Sequence, residues 1–195
     1  MNWFRVKAFI RYYIKSITKF NTHSPFLFDF VTTILDTDKN YYAFENIEAR
    51  RKVLLNSNNK LEIKDLGAGS QTFASNTKTV SEIAKSSLSS VSKCRIMFNI
   101  ILHYKCNTIL ELGTSLGISS SYFASTSALN HVITLEGDEN IAALAKNTHQ
   151  SLGLKNIEIH TGRFDETLPV VLNKVHKLDF IFFDGHHLEQ PTLHY

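Results

Sequence analysis

Residues Ile109-Leu-Glu-Leu-Gly113-Thr-Ser-Leu-Gly117-Ile-Ser119 decide how this chain is read. A short apolar run stops at a glycine, a second glycine follows four positions later, and a helix-forming stretch begins behind it. Glycine at 113 lets the backbone turn tightly at the carboxyl end of a strand, and Gly117 lets the next helix pack close to the sheet. The free N–H groups at such a helix start, with the positive end of its dipole, suit an anionic group such as a carboxylate. A glycine turn alone is weak evidence. Its surroundings make it strong.

Apolar strand-like runs begin at Ile109 (ILEL), Val132 (VITLE), Ile157 (IEIH) and Asp179 (DFIFF), at spacings of 23, 25 and 22 residues. Helix-like segments separate them, the one before the fourth run being shorter. That alternation predicts βαβ units in an α/β fold, a Rossmann-like, doubly wound parallel sheet. ILEL and FIFF are apolar on both faces, as strands covered by helices on both sides should be. Glu136 ends the second run 19 residues after Gly117. From there an acidic side chain can accept hydrogen bonds from both ribose hydroxyls of a nucleoside ligand. Asp65-Leu-Gly67-Ala-Gly69-Ser70 has two close glycines after a strand-like run, but no second apolar strand ending in an acid follows by Ser90. It is read as a loop. A dinucleotide fingerprint starting at Gly113 needs glycine at 115 and 118, where this chain has Ser115 and Ile118. That disfavours a nicotinamide-dependent oxidoreductase, which stands as a rival reading.

The pattern Glu-x-Gly-x-x-x-Gly over Glu111 to Gly117 resembles motif I of the class I S-adenosylmethionine-dependent methyltransferases. It looks most like the small-molecule O-methyltransferase branch typified by catechol and caffeoyl-CoA O-methyltransferases, in which the central glycine is often replaced, as Ser115 replaces it here. The resemblance runs from about Lys93 to Tyr195. It implies S-adenosyl-L-methionine as cofactor, with Gly113, Thr114, Ser115 and Gly117 in the turn beside it. Glu111 would face the methionine end, Ser119 the methionine carboxylate, Glu136 the ribose and Gly137 the adenine. Gly162-Arg-Phe-Asp-Glu-Thr-Leu-Pro169 resembles the loop after the third strand, which puts Phe164 and Asp165 at the adenine. Asp184 matches the motif IV acid near the reacting centre.

The same resemblance implies in-line methyl transfer to a small-molecule acceptor, with oxygen favoured, because Asp184-Gly-His186-His187 lacks the Asn/Asp-Pro-Pro-aromatic pattern of amino-group methyltransferases. Family members place a lysine base three residues beyond the motif IV acid, where this chain has His187. A histidine near its ordinary pKa can take a proton at neutral pH, so His187 stands either as the general base or as a surface residue. His186 reads as a surface residue. Some members hold a divalent metal with that Asp and a later acidic pair that this chain does not reach, so metal dependence stays open. The resemblance also implies strand order 3-2-1-4 with further strands beyond the fourth. Those C-terminal strands are missing here, which leads to the expectation of a truncated chain, a cofactor-binding module of poor turnover. Self-association through an exposed fourth strand is expected with it.

Residues 1–92 carry no motif of that family and are read as a helical N-terminal extension on the substrate side, with 93–195 as the cofactor-binding core. Residues 61–66 read as a short strand, one candidate to cover the fourth strand's edge, and 80–87 and 95–104 as helices. The first segment spaces Val6, Ile10, Tyr13, Ile14 and Ile17 helically, with Lys7, Arg11, Lys15 and Lys19 on another face. A membrane-surface or RNA-contacting helix is one reading; a helix capping the domain with its apolar face inward is favoured. Residues 1–28 hold five Lys/Arg and no Asp/Glu, whereas the remainder holds 16 basic and 18 acidic residues. Positive charge is therefore local, which weakens the case for a general nucleic-acid surface.

With 195 residues and 43% hydrophobic content the chain can bury one good core. Cys94 and Cys106 lack a CxxC pairing and read as reduced core thiols. No apolar run reaches membrane-spanning length, and the basic residues of the N-terminus interrupt any signal-peptide core, so cytoplasm is the default compartment.

Overall fold

The computed structural model describes residues 3–16, 22–64 and 75–185. Helix α1 spans Trp3–Lys15. Helix α2, Pro25–Asp29, starts with Pro25 behind an Ser24 cap and runs into a π-helical turn, Phe30–Ile34. Helix α3 is Tyr42–Leu55. Strands β1 (Lys60–Lys64) and β2 (Ser75–Thr79) pair antiparallel, Lys60 opposite Thr79. Helix α4 (Val80–Ser87) opens on a full capping box, in which Thr79 and Glu82 exchange side-chain and backbone hydrogen bonds. Helix α5 (Val91–His103) is capped by Ser90.

The rhythmic half follows as β3 (Thr108–Leu112), α6 (Ile118–Ala124), β4 (His131–Glu136), α7 (Glu139–Ser151), β5 (Ile157–Thr161), α8 (Phe164–Lys174) and β6 (Phe180–Phe183). All four strands are parallel, in the order β5-β4-β3-β6. This is the expected 3-2-1-4 order.

Alternation along the strands splits the core in two. Ile109 and Val132 face one way, into a cluster with Phe44, Ile47, Val80, Phe98, Tyr122 and Phe123. Leu110, Leu112, Ile133 and Leu135 face the other way, against Leu168 and Val171 of α8. Helices therefore cover both faces, and α3, α4 and α5 share one core with the sheet.

Four expectations need correction. The N-terminal half, read as helical but for one short strand at 61–66, holds a second strand, β2, which pairs with β1 in a two-stranded sheet. β1 is thereby paired with β2 and does not cover β6, which ends the parallel sheet among the described residues. Residues from Phe164 to Pro169 are not a loop: α8 begins at Phe164, with Asp165 and Glu166 in a first turn that favours acids. And α1 does not turn an apolar face inward, for none of its residues is buried. The glycine-rich stretch from Asp65 to Ser70 lies outside the described residues. Among those described, no helix is long and apolar enough to cross a membrane. Cys94 and Cys106 are buried free thiols.

Candidate functional site

The carboxyl ends of β3, β4, β5 and β6 come together at one edge of the parallel sheet. In open α/β sheets, ligands bind there, at the crevice where strand order reverses. Here the reversal lies between β3 and β6. Gly113, with φ +103°, turns the chain off β3, and its N–H donates to the Leu135 carbonyl at 2.9 Å. A Cβ at this position would lie 2.9 Å from the Asp184 carbonyl carbon and oxygen, so glycine is what lets β6 end against the turn. Gly117, φ +80°, opens α6, backed by Ala145 and His149.

Glu111 is fully buried. Ser119 Oγ donates to its Oε1 at 2.5 Å and Thr134 Oγ1 to its Oε2 at 2.7 Å, while Thr134 and Thr114 share a 2.6 Å hydrogen bond. Burial drives its carboxyl up to about 8 against the pull of those hydroxyls. His149, also buried and hydrogen-bonded to Ser120 Oγ at 2.9 Å, is pushed by burial down to about 4.

These shifts set the pH response of stability. A carboxyl whose pKa rises on folding contributes stability present below its ordinary 4.5 and lost as pH rises through about 8. A histidine whose pKa falls on folding contributes stability present above 6.5 and lost as pH falls through about 4. Between those ordinary values the two slopes oppose each other; above 6.5 only Glu111 of the two contributes one. Melting temperature should therefore fall from pH 6.5 to 8 in the wild type and stay flatter in Glu111→Gln, which thermal melts across that range would check. Parallel curves for the two proteins would show that Glu111 does not titrate there.

Glu136 ends β4 half-buried. The Ser115 N–H donates to its Oε2 at 2.8 Å and the Asp138 N–H to its Oε1 at 3.2 Å. Burial raises its pKa, and the backbone N–H groups of Asp138, Ser115 and Gly137 oppose that rise. The first contact clamps the glycine turn to the end of β4 and orients the carboxylate. Asp138 caps α7, accepting from the Asn140 and Ile141 N–H groups at 2.8 Å each.

Phe164 lies under Gly185, whose Cβ would meet its ring at 2.8 Å, so it packs where the strand ends meet. Asp165 is exposed and taken up by Arg163 at 2.9 and 3.1 Å, which holds its carboxyl below the usual range.

Three residues that sequence reasoning did not single out as site residues reach this edge from the N-terminal half. Ser87 Oγ meets Ser115 Oγ at 2.7 Å. Ser89 Oγ donates to Asp184 Oδ2 at 2.8 Å, and Lys93 Nζ pairs with Asp184 Oδ1 at 3.0 Å while lying 4.8 Å from the centre of the Phe182 ring. Arg51, from α3, donates to the Ser89 carbonyl at 2.8 Å and fixes that loop. The serines gave no signal beyond the end of a helix, at Ser87, and a loop, at Ser89. Lys93 sits in the first turn of α5, but its partner lies 91 residues away.

The structure thus brings together Gly113, Thr114, Ser115, Gly117, Glu136, Gly137, Phe164 and Asp184, with Glu111 and Ser119 enclosed behind them. His186 and His187 lie outside the described residues. Among the described residues no three His, Cys, Asp or Glu side chains form a group fit for a metal ion. Asp184 is instead engaged by an ammonium and a hydroxyl.

Residues 110–195 match a protein family described as a methyltransferase domain. Solved structures with the same fold include an O-methyltransferase of Bacillus cereus in complex with S-adenosylhomocysteine, at 19% identity over 85% of this chain and 63% of that one, TM-score 0.56. A methyltransferase of Podospora anserina, also bound to S-adenosylhomocysteine, is 18% identical over 87% of this chain and 61% of that one, TM-score 0.53. An O-methyltransferase of Streptomyces achromogenes involved in tomaymycin synthesis, in complex with S-adenosylmethionine, is 22% identical over 55% of this chain and 50% of that one, TM-score 0.52. The chain spans between half and just under two thirds of the length of these structures. No match was found among curated proteins.

Proposed function

We propose that this protein, whose residues 110–195 match a methyltransferase domain, binds S-adenosylmethionine at the carboxyl edge of its parallel sheet and methylates the oxygen of a small molecule. The observation that carries the reading is the clamped pair of the Gly113–Gly117 turn and Glu136. A carboxylate already oriented by two backbone N–H groups retains lone pairs for a vicinal diol. Glu136 would take the ribose hydroxyls, and Gly137 and Phe164 would adjoin the adenine, with Asp165 at its rim. Glu111 and Ser119, behind the turn, are assigned to the methionine end. Their enclosure makes them supports of the Thr114–Ser115 backbone as much as direct contacts.

When bound, the sulfonium supplies an electrophilic methyl carbon; the acceptor oxygen forms the new bond as the sulfur–carbon bond breaks. The chain's part is to hold donor and acceptor in line and to take the acceptor's proton. Asp184 sits at the crevice between β3 and β6, and Lys93 and Ser89 fix its two oxygens. Three residues further on, His187 is the proposed general base.

A rival nicotinamide site is disfavoured by Ser115 and Ile118, which occupy positions where a pyrophosphate turn needs glycine. Thermal melts with each ligand separate the two readings. S-adenosylhomocysteine should add RT ln(1 + [L]/Kd) of stability, about 2.7 kcal/mol at a hundredfold excess over Kd, and so raise the melting temperature. NADH should leave it unchanged. Stabilisation by NADH alone would replace this reading with the rival one.

A further inference from the structure

Helix α1 carries an apolar face that the described fold does not bury. At 100° per residue, Trp3, Val6, Phe9, Ile10, Tyr13 and Ile14 fall within an arc of about 140°, and Lys7, Arg11 and Lys15 line the adjacent arc. The apolar arc is not turned into the domain. Trp3 is 69% exposed, Phe9 66% and Ile14 76%, and no residue of the helix is buried. Phe26 and Leu27 of α2 are also at least half exposed.

Charge identifies the surface that fits. Residues 1–28 contain five Lys/Arg and no Asp/Glu. Phe4 and Tyr12 lie outside the apolar arc, Phe4 between Arg11 and Lys15. A helix with a broad apolar arc and ammonium and guanidinium groups beside it lies in the plane of a membrane interface, the arc's rings among the acyl chains and the cations at the headgroups. An apolar groove on a partner protein would account for the rings and leave the uniform positive charge unexplained. RNA would account for the charge and leave the apolar arc in water.

We infer that α1 docks this protein on an anionic lipid surface. The inference rests on α1 and its charge, not on the cofactor reading, and would place the catalytic domain beside acceptors that partition into membranes.

Trp3 is the only tryptophan in the chain, so its fluorescence reports the contact without a label. The full protein is titrated with vesicles of phosphatidylcholine alone and of phosphatidylcholine mixed with phosphatidylserine. Trp3 emission should shift to the blue with the anionic vesicles, with an affinity on the order of a hundredfold above that for neutral ones. The shift should reverse when salt shortens the screening length from about 10 Å at 0.1 M to about 3 Å at 1 M. K7E/R11E/K15E should abolish it and leave melting temperature and S-adenosylhomocysteine binding unchanged, because none of the three side chains is buried. Emission already blue without vesicles would mean that the rest of the chain or a second copy covers the face. A shift produced by RNA and not by anionic vesicles, equal shifts with both vesicle types, or no shift at all would likewise overturn the inference.

Discussion

Replacing Gly113 with alanine should abolish measurable cofactor binding and lower the melting temperature by about 5–10 °C. Two costs combine. At φ +103° an L side chain is strained by roughly 1–3 kcal/mol whatever surrounds it. The new Cβ would also press to 2.9 Å on the Asp184 carbonyl carbon and oxygen and 3.0 Å on the Gly185 nitrogen, all backbone atoms with no rotamer to yield. Relief requires the ends of β3 and β6 to part, which loosens the Asp184 N–H hydrogen bond to the Leu112 carbonyl, now 2.9 Å. It also moves Asp184 off Lys93 and Ser89. For a chain of this size each kcal/mol lowers the melting temperature by roughly 2–4 °C. Gly153→Ala separates the two costs, since Gly153 has φ +70° with nothing within 4 Å of the added carbon. That control should show the milder loss from strain alone and bind cofactor normally. Wild-type stability and affinity in Gly113→Ala would mean that the turn is not held against β6.

How much of this was legible in the sequence depends on the range of the forces involved. The parallel sheet was legible because two of its strands, ILEL and FIFF, are apolar on both faces and all four runs recur at nearly even spacing; the order β5-β4-β3-β6 followed from the resemblance carried by Glu111, Gly113, Gly117 and Glu136. Strand β2 was not legible. Ser75-Asn-Thr-Lys-Thr79 has no apolar alternation, and only pairing with Lys60–Lys64 makes it a strand. The start of α8 was hidden by the resemblance to a loop and by Pro169, which stands inside the helix.

At the site, the glycine turn and the acid that ends β4 stand where the sequence placed them, because their spacing is local. The engagement of Asp184 was not legible. Ser89 and Lys93 reach it across more than ninety residues, and neither residue type announces such a partner in sequence. Glu111 was placed at a ligand, but nothing local foretold that its oxygens would be enclosed by Ser119 and Thr134. The amphipathic pattern of α1 was plain from the start, yet periodicity says only that a face exists. It cannot say whether protein or something else covers that face, and the structure buries no residue of it.

Calorimetric titration of S-adenosylhomocysteine into the wild type and Glu136→Ala is the most direct test of the central claim. Glu136 is the carboxylate held by the Ser115 and Asp138 N–H groups, so on the proposed reading its removal would leave the ribose hydroxyls without their acceptor and free the turn from β4. Loss of a hydrogen bond to a charged group costs about 1.5–3 kcal/mol, which weakens binding by roughly ten- to hundredfold at 1.4 kcal/mol per factor of ten. The expected result is saturable one-site binding to the wild type and affinity reduced by that factor in Glu136→Ala. Absence of binding to the wild type, or equal affinity in the two proteins, would contradict the assignment of this edge of the sheet as an S-adenosylmethionine site.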